Sequence, residues 1–119
     1  MRIRPLLSGL LFLAALVPAT ADEMPAGAAR GKAITEKWCG LCHAEAGTPP
    51  PRSEAPVFAD VVRRPGRDAD YLAKFLKEDH FPMTTYRLFD HERADVLEYL
   101  LWLQRMENRS AAYSGRSER

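Results

Sequence analysis

The positions of the two cysteines constrain this chain more than any other feature of its sequence. They are the only two among 119 residues, and both lie in the hexapeptide Trp-Cys-Gly-Leu-Cys-His at residues 38–43. A disulfide between Cys39 and Cys42 would stabilise little, because the entropy that it removes from the unfolded chain grows with the length of the closed loop. The core of so small a domain supplies only about 3–5 kcal/mol. We therefore expect the cysteines either to perform redox chemistry or to hold a group that enlarges the core.

Two kinds of site contain such a motif. Trp-Cys-x-x-Cys is typical of the dithiol of thioredoxin-like oxidoreductases, and Cys-x-x-Cys-His is the attachment motif of a c-type haem. The thioredoxin-like dithiol belongs to a βαβ unit, whereas here helical spacing precedes the motif and prolines follow it. A structural zinc site needs four ligands, and only His80 and His91 remain to complete one. The motif favours haem attachment, with thioether bonds from Cys39 and Cys42 and with His43 as the proximal iron ligand.

The first 21 residues have the pattern of a secretory signal peptide. Arg2 and Arg4 precede an apolar segment over residues 6–17, and a Pro-Ala-Thr-Ala cleavage site ends at Ala21. The apolar segment is shorter than the roughly 20 residues of a membrane-spanning helix. We expect cleavage, no stable membrane insertion afterwards and a periplasmic location; an uncleaved anchor is the alternative.

The charge of the mature chain disfavours nucleic acid as a partner. Cleavage removes two of the 17 basic residues and none of the 16 acidic ones, so the net charge becomes −1 with neutral histidines. The sequence has no basic cluster interleaved with aromatic residues, which nucleic-acid binding would need.

The spacing of apolar residues predicts an all-α domain over residues 22–106. Three segments have helical spacing: residues 27–38, 69–78 and 91–106. The segment 44–67 contains five prolines and predicts a long loop, broken by one short helical turn at 58–62. Asp68 is the expected N-cap of the second main helix. Residues 107–119 are polar and predict a disordered tail.

The iron of an attached haem has a sixth coordination position, for which Met83 is the candidate. It follows Pro82 in a loop between two predicted helices, and the rigid proline would help to hold the thioether in place. His80 is the competing ligand, and His91 is expected to be a solvated residue of a helix start. The remaining mature methionines, Met24 and Met106, lie near the chain ends.

Four segments of the chain resemble class I bacterial cytochrome c, a monohaem family. They read GKAITEKWCGLCH at residues 31–43, APVF at 55–58, FPM at 81–83 and RADVLEYLLWL at 93–103. The resemblance implies three main helices wrapped with long loops around one covalently attached haem c. It also implies that the carbonyl of Pro56 accepts a hydrogen bond from His43, and that His43 and Met83 ligate the iron.

The resemblance further implies that the first and last helices cross closely at Gly31, with the ring of Tyr99 over the bare backbone. Glycine inside a helix costs about 1 kcal/mol relative to alanine, so Gly31 should have a packing reason. The family usually has an aromatic residue four positions later, where this chain has Thr35. We expect Trp38 to supply the missing bulk.

An iron with six ligands has no open position for a substrate, so these features predict an electron carrier and not an enzyme. Histidine and methionine ligation predicts a positive midpoint potential. The expected partners are periplasmic redox proteins that meet a monomer at its exposed haem edge, where Lys37, Lys74 and Lys77 are candidates for steering. A haem subunit or dedicated partner of a periplasmic dehydrogenase is the alternative, and a gas-binding sensor is another if Met83 is labile. Four arginines could reach the haem propionates: Arg52, Arg63, Arg64 and Arg67.

Overall fold

The computed structural model describes residues 23–43, 55–78 and 88–117. These ranges form four helices and no strand: α1 (Ala26–Trp38), α2 (Phe58–Arg63), α3 (Ala69–Phe75) and α4 (Asp90–Ser117). The predicted all-α fold is therefore confirmed. The predicted signal peptide and Met83 lie outside the described residues. None of the described helices combines the length and the apolar character that crossing a membrane requires.

Helix α4 is the centre of the fold, because α1, α2 and α3 each pack on it. The buried core is small and draws on all four helices. Its members are Ala28, Val62, Leu72, Val96, Tyr99 and Leu100. Half of these residues belong to α4, so the other three helices pack against the apolar face of this helix.

The closest helix crossing is at Gly31, as the sequence predicts. A Cβ atom at Gly31 would lie 2.9 Å from the Cα atom of Val96 and 2.5 Å from the carbonyl carbon of Asp95. These are backbone atoms of α4 and cannot rotate away. The nearest atoms are thus those of the α4 backbone, and not those of the Tyr99 ring.

Thr35 lies in the same packed face of α1, where it is buried. Its hydroxyl donates a hydrogen bond to the carbonyl oxygen of Lys32 at 2.7 Å, which satisfies a polar group that would otherwise be costly to bury. Trp38 is 36% exposed. Thr35 and not an aromatic residue therefore occupies the buried position, and the expectation that Trp38 supplies the missing bulk stays a prediction.

Polar contacts fix the ends of the elements. Asp68 caps α3 by accepting a hydrogen bond from the Tyr71 amide at 2.8 Å, which confirms the predicted N-cap.

Next to the main helix crossing, Arg30 donates two hydrogen bonds to Asp95, at 2.7 and 2.8 Å. The Arg30 guanidinium holds the pKa of the Asp95 carboxyl below its ordinary value, chiefly through this hydrogen bonding.

Helix α4 continues to Ser117, so the predicted end near Met106 is wrong. Residues 107–117, predicted as a polar disordered tail, form further turns of the helix. Alanine, arginine and glutamate in this segment favour helix, and Glu107 accepts a hydrogen bond from Arg63 of α2 at 2.7 Å, which ties the first of these turns to the body. From Asn108 to Arg116 the side chains are exposed.

Candidate haem site

The Cys-x-x-Cys-His motif forms a tight turn at the end of α1. The amide of Cys39 donates to the carbonyl of Thr35 at 2.8 Å and closes the last turn of the helix. The carbonyl of Cys39 then accepts hydrogen bonds from the amides of Cys42 and His43, at 3.0 and 2.8 Å. This turn holds the three motif residues close together, and it requires no strand.

His43 is oriented by a residue that is distant in sequence. Its Nδ1 atom lies 2.7 Å from the carbonyl oxygen of Pro56. A carbonyl oxygen can only accept, so Nδ1 carries the hydrogen and the Nε2 atom keeps its lone pair for a metal. Metal-binding histidines usually have such a partner on the other ring nitrogen. The ring of Phe58 stacks on the imidazole, with 4.9 Å between centroids and 16° between planes.

Cys39 and His43 line one apolar cavity. The other walls come from α2, α3 and α4 and are entirely apolar. They consist of Phe58, Val61, Leu72, Phe75, Leu76, Val96 and Leu100. The cavity thus combines a thiol and an imidazole with the apolar surroundings that a porphyrin needs, and the residues present fit a covalently attached haem.

The thiol of Cys39 lacks the character of a redox dithiol. Burial raises its pKa, and the neighbouring Cys42 raises it further. The nucleophilic cysteine of a thioredoxin-like site has a lowered pKa, because the thiolate is the reactive form. A half-buried thiol of raised pKa suits attachment to a cofactor better than disulfide exchange.

The rival ligands that the structure describes lie away from this cavity. His91 is exposed at the start of α4, where its ring stacks on Phe89 with 5.8 Å between centroids. Met24 packs against the core cluster and lines a separate cleft beside Trp102. Met106 is on α4 and is absent from the cavity lining. His80, like Met83, lies outside the described residues.

Of the loop arginines, Arg67 has a distinct environment. Its Nε atom is buried and has no hydrogen-bond partner among the residues that the structure describes. Its guanidinium lies 4.0 Å above the centroid of the Tyr71 ring, and that ring stacks on Phe75 of the cavity wall. Arg63 is paired with Glu107 and Asp60 at the surface. Arg64 is exposed, and Arg52 is not described.

Two large apolar side chains are exposed beside the cysteines. Trp38 precedes Cys39, and Leu41, which is 74% exposed, lies between the cysteines in sequence. The Lys37 ammonium lies 4.6 Å from the centroid of the Trp38 ring. The surface next to the motif is therefore apolar with one adjacent cation.

Sequence reasoning did not identify two residues of this site. Phe58 follows Pro56 by two positions, and its aromatic character was the only available signal of a ring stacked on His43. Gln104, which is not among the lining residues, donates hydrogen bonds to the main-chain carbonyls of Val62 and Arg67 between the two helices that line the cavity. Nothing in the sequence distinguishes it from any other polar residue of a surface helix.

A small all-α domain with a Cys-x-x-Cys-His turn facing an apolar cavity defines the class I monohaem cytochromes c. The chain is 30% identical over 95 residues to cytochrome c-552 of Bradyrhizobium diazoefficiens, an alignment that covers 79% of this chain and 91% of that protein. The chain therefore belongs to the class I monohaem cytochrome c family, and the predicted resemblance is confirmed. Membership implies haem c, with its iron, as the cofactor. No protein-family model matches the chain, and no solved structure does.

Proposed function

We propose that this protein is a periplasmic electron carrier with one covalently bound haem c, whose iron is held by His43 and Met83. The observation that carries the proposal is the hydrogen bond from His43 to the Pro56 carbonyl beside the apolar cavity. This hydrogen bond orients the imidazole of His43 and leaves the lone pair of Nε2 free. The same cavity contains Cys39 of the attachment motif. An oriented imidazole next to an attachment cysteine is the arrangement that a covalently bound haem needs.

The attachment roles fall to Cys39 and Cys42. Their spacing allows both sulfur atoms to reach one edge of a porphyrin, and the tight turn brings the adjacent His43 under the same group. Cys39 is half-buried in the cavity wall and Cys42 is exposed. One thioether would lie inside the apolar walls, and the other would lie at the solvent-facing rim.

Met83 is proposed as the distal ligand on sequence grounds. It lies in the FPM segment that resembles the distal loop of the family, and the methionines that the structure describes lie away from the cavity. When bound, the haem supplies a one-electron couple. An iron held by histidine and methionine has no open position for a substrate, so the protein would transfer electrons without catalysing a reaction.

The apolar walls would raise the midpoint potential. Seven apolar side chains line the cavity, and low polarity disfavours the extra positive charge of ferric iron. Methionine ligation acts in the same direction. We therefore expect a positive potential.

Arg67 is the best-supported partner for a haem propionate. A buried guanidinium atom without an acceptor is unfavourable, and a carboxylate would satisfy it with a charge-assisted hydrogen bond. The stacking of the guanidinium on Tyr71 holds the group in a fixed orientation. Arg63 and Arg64 have surface environments and are poorer candidates.

The expected partners are periplasmic redox proteins that dock at the haem edge. The exposed side chains of Trp38 and Leu41 next to the motif offer an apolar contact, and Lys37 adds a positive charge. Electron-transfer encounters are small and weak, which allows rapid turnover. We propose a monomer exported by the signal peptide at residues 1–21, without stable membrane insertion and without nucleic acid as a partner.

The test is an absorption spectrum of the protein produced with a haem-attachment system. We expect the near-infrared band of a ferric iron with a thioether ligand, and its loss in Met83→Ala. Met24→Ala is the matched control and should keep the band. A band that survives in Met83→Ala would exclude Met83 as the ligand, and haem extracted by acidified acetone would exclude covalent attachment.

A further inference from the structure

The side-chain amide of Gln104 joins α4 to the corner between α2 and α3. Its Nε2 atom donates to the carbonyl oxygen of Val62 at 2.9 Å and to that of Arg67 at 2.8 Å. An amide nitrogen has two hydrogens, and this arrangement uses both. Val62 lies in the last turn of α2, where carbonyl groups have no partner within the helix, and Arg67 directly precedes the N-cap of α3.

Both sides of this corner form walls of the haem cavity. Helix α2 contributes Phe58 and Val61, α3 contributes Leu72 and Phe75, and the C-cap of α3 contributes Leu76. Only a short turn joins the two helices, and it contains Gly66 with a φ of 75°. Such a turn sets the path of the chain between α2 and α3. The angle between the two helices then depends on the contacts that each helix makes with the rest of the protein. The amide of Gln104 spans the turn and binds the main chain on both sides of it.

We propose that Gln104 is a positioning residue for the haem, an inference that rests on the proposed function. It acts through α2 and α3. The hydrogen bond to Val62 fixes the end of α2, whose Phe58 stacks on His43. The hydrogen bond to Arg67 fixes the start of α3, which forms the opposite apolar wall of the cavity. The ion pair between Arg63 and Glu107 also joins α2 to α4. That pair is exposed, however, and exposed ion pairs contribute little. The part-buried amide is therefore the determining contact.

Loss of the amide has a predictable direction. Two part-buried carbonyl groups would lose their donor and would attract water to the corner. Water behind Val61 and Phe58 raises the polarity of the cavity, which favours the ferric state and lowers the midpoint potential. The orientation of the His43 ring would also change, because the stacked Phe58 ring moves with α2.

The experiment compares three variants of the haem-loaded protein. Gln104→Glu keeps the shape but has no hydrogens to donate when ionised, and Gln104→Ala removes the group. Arg63→Gln is the matched control, since it removes the exposed ion pairs of Arg63 with Glu107 and Asp60 and leaves the amide of Gln104 in place. We expect both Gln104 variants to lower the midpoint potential and to shift the haem-methyl proton resonances of the oxidised protein, and Arg63→Gln to change neither.

A purely structural role would give a different result. If the Gln104 variants unfold more easily but keep the wild-type potential and resonances, the proposal is overturned. A measurement on the wild type covers the case in which the variants do not fold. The two side-chain amide hydrogens of Gln104 should exchange slowly with solvent and show nuclear Overhauser contacts to residues 62 and 67, and rapid exchange without those contacts would also overturn it.

The two proposals fail in distinguishable ways. A wild-type protein that takes up no haem in the presence of an attachment system contradicts the proposed function. A haem-loaded protein whose potential does not respond to Gln104 leaves that function intact and contradicts only the positioning role.

Discussion

Gly31 lies against the backbone of Val96, whose Cα atom is 2.9 Å from the place that a Cβ on the glycine would occupy. Gly31→Ala should therefore lower the free energy of unfolding by about 1–3 kcal/mol, because overpacking against a main chain outweighs the gain in helix propensity. Urea unfolding measures the change. Gly115→Ala is the control: no atom lies within 4 Å of its Cβ position, so its stability should be unchanged or slightly raised. Equal effects at the two glycines would contradict the close crossing.

Asp95 should make the stability depend on pH. Hydrogen bonding and charge from Arg30 lower the folded-state pKa of its carboxyl. A lowered pKa contributes stability above the unfolded-state value of about 3.9, and this contribution is lost as the pH falls through the folded-state pKa. The difference in unfolding free energy between the wild type and Asp95→Asn should shrink as the pH falls below about 4. The exposed Asp70, changed to asparagine, should show a much smaller dependence; an equal one would argue against the Arg30 pair as the cause.

Phe58 should influence the redox potential through its stacking on His43. Phe58→Ala would let water reach the imidazole and the cavity, and a more polar cavity lowers the midpoint potential. Phe58→Leu keeps the wall apolar and should have a smaller effect. Potentiometric titration measures both. Phe89→Ala is the matched control, because Phe89 also stacks on a histidine but is 70% exposed and distant from the cavity lining. A comparable shift in that variant would contradict the role assigned to Phe58.

The last turns of α4 should be dispensable for stability. Deletion of residues 109–119 removes the last turns of α4, whose side chains are exposed as far as Arg116, and should change the unfolding free energy by no more than about 0.5 kcal/mol. The far-ultraviolet circular dichroism should show a loss of helix in the same sample. Deletion from residue 104 onward is the comparison, because it also removes Gln104 and Glu107 and should destabilise strongly. A large loss of stability from the shorter deletion would show that these turns pack on the body.

The local part of the site could be predicted from the sequence. Cys39, Cys42 and His43 are contiguous, so one helix end and one turn bring them together without tertiary information. The Pro56 contact is 13 residues away in sequence, and only the resemblance to a family suggested it. Met83 and the signal peptide remain predictions.

The tertiary part could not be predicted, for physical reasons. The four loop arginines look equivalent in sequence, and only packing shows that Arg67 has a buried donor while Arg63 meets two carboxylates. Residues 107–117 are polar, which suggests a disordered tail, but several of them have a high helix propensity. The ion pair of Glu107 with Arg63 further stabilises the helical conformation. The role of Gln104 depends on two carbonyls that lie 37 and 42 residues away in sequence.

Helices α1, α2 and α3 share a single neighbour, since in the described parts of the chain each packs on α4 and not on the others. In the polypeptide alone, α4 is thus the helix that connects the other three. A porphyrin in the cavity would contact residues of α2 and α4 and the wall that begins in α3 at the same time, so haem attachment should stabilise their arrangement. We therefore expect the haem-loaded protein to be more stable than the polypeptide alone.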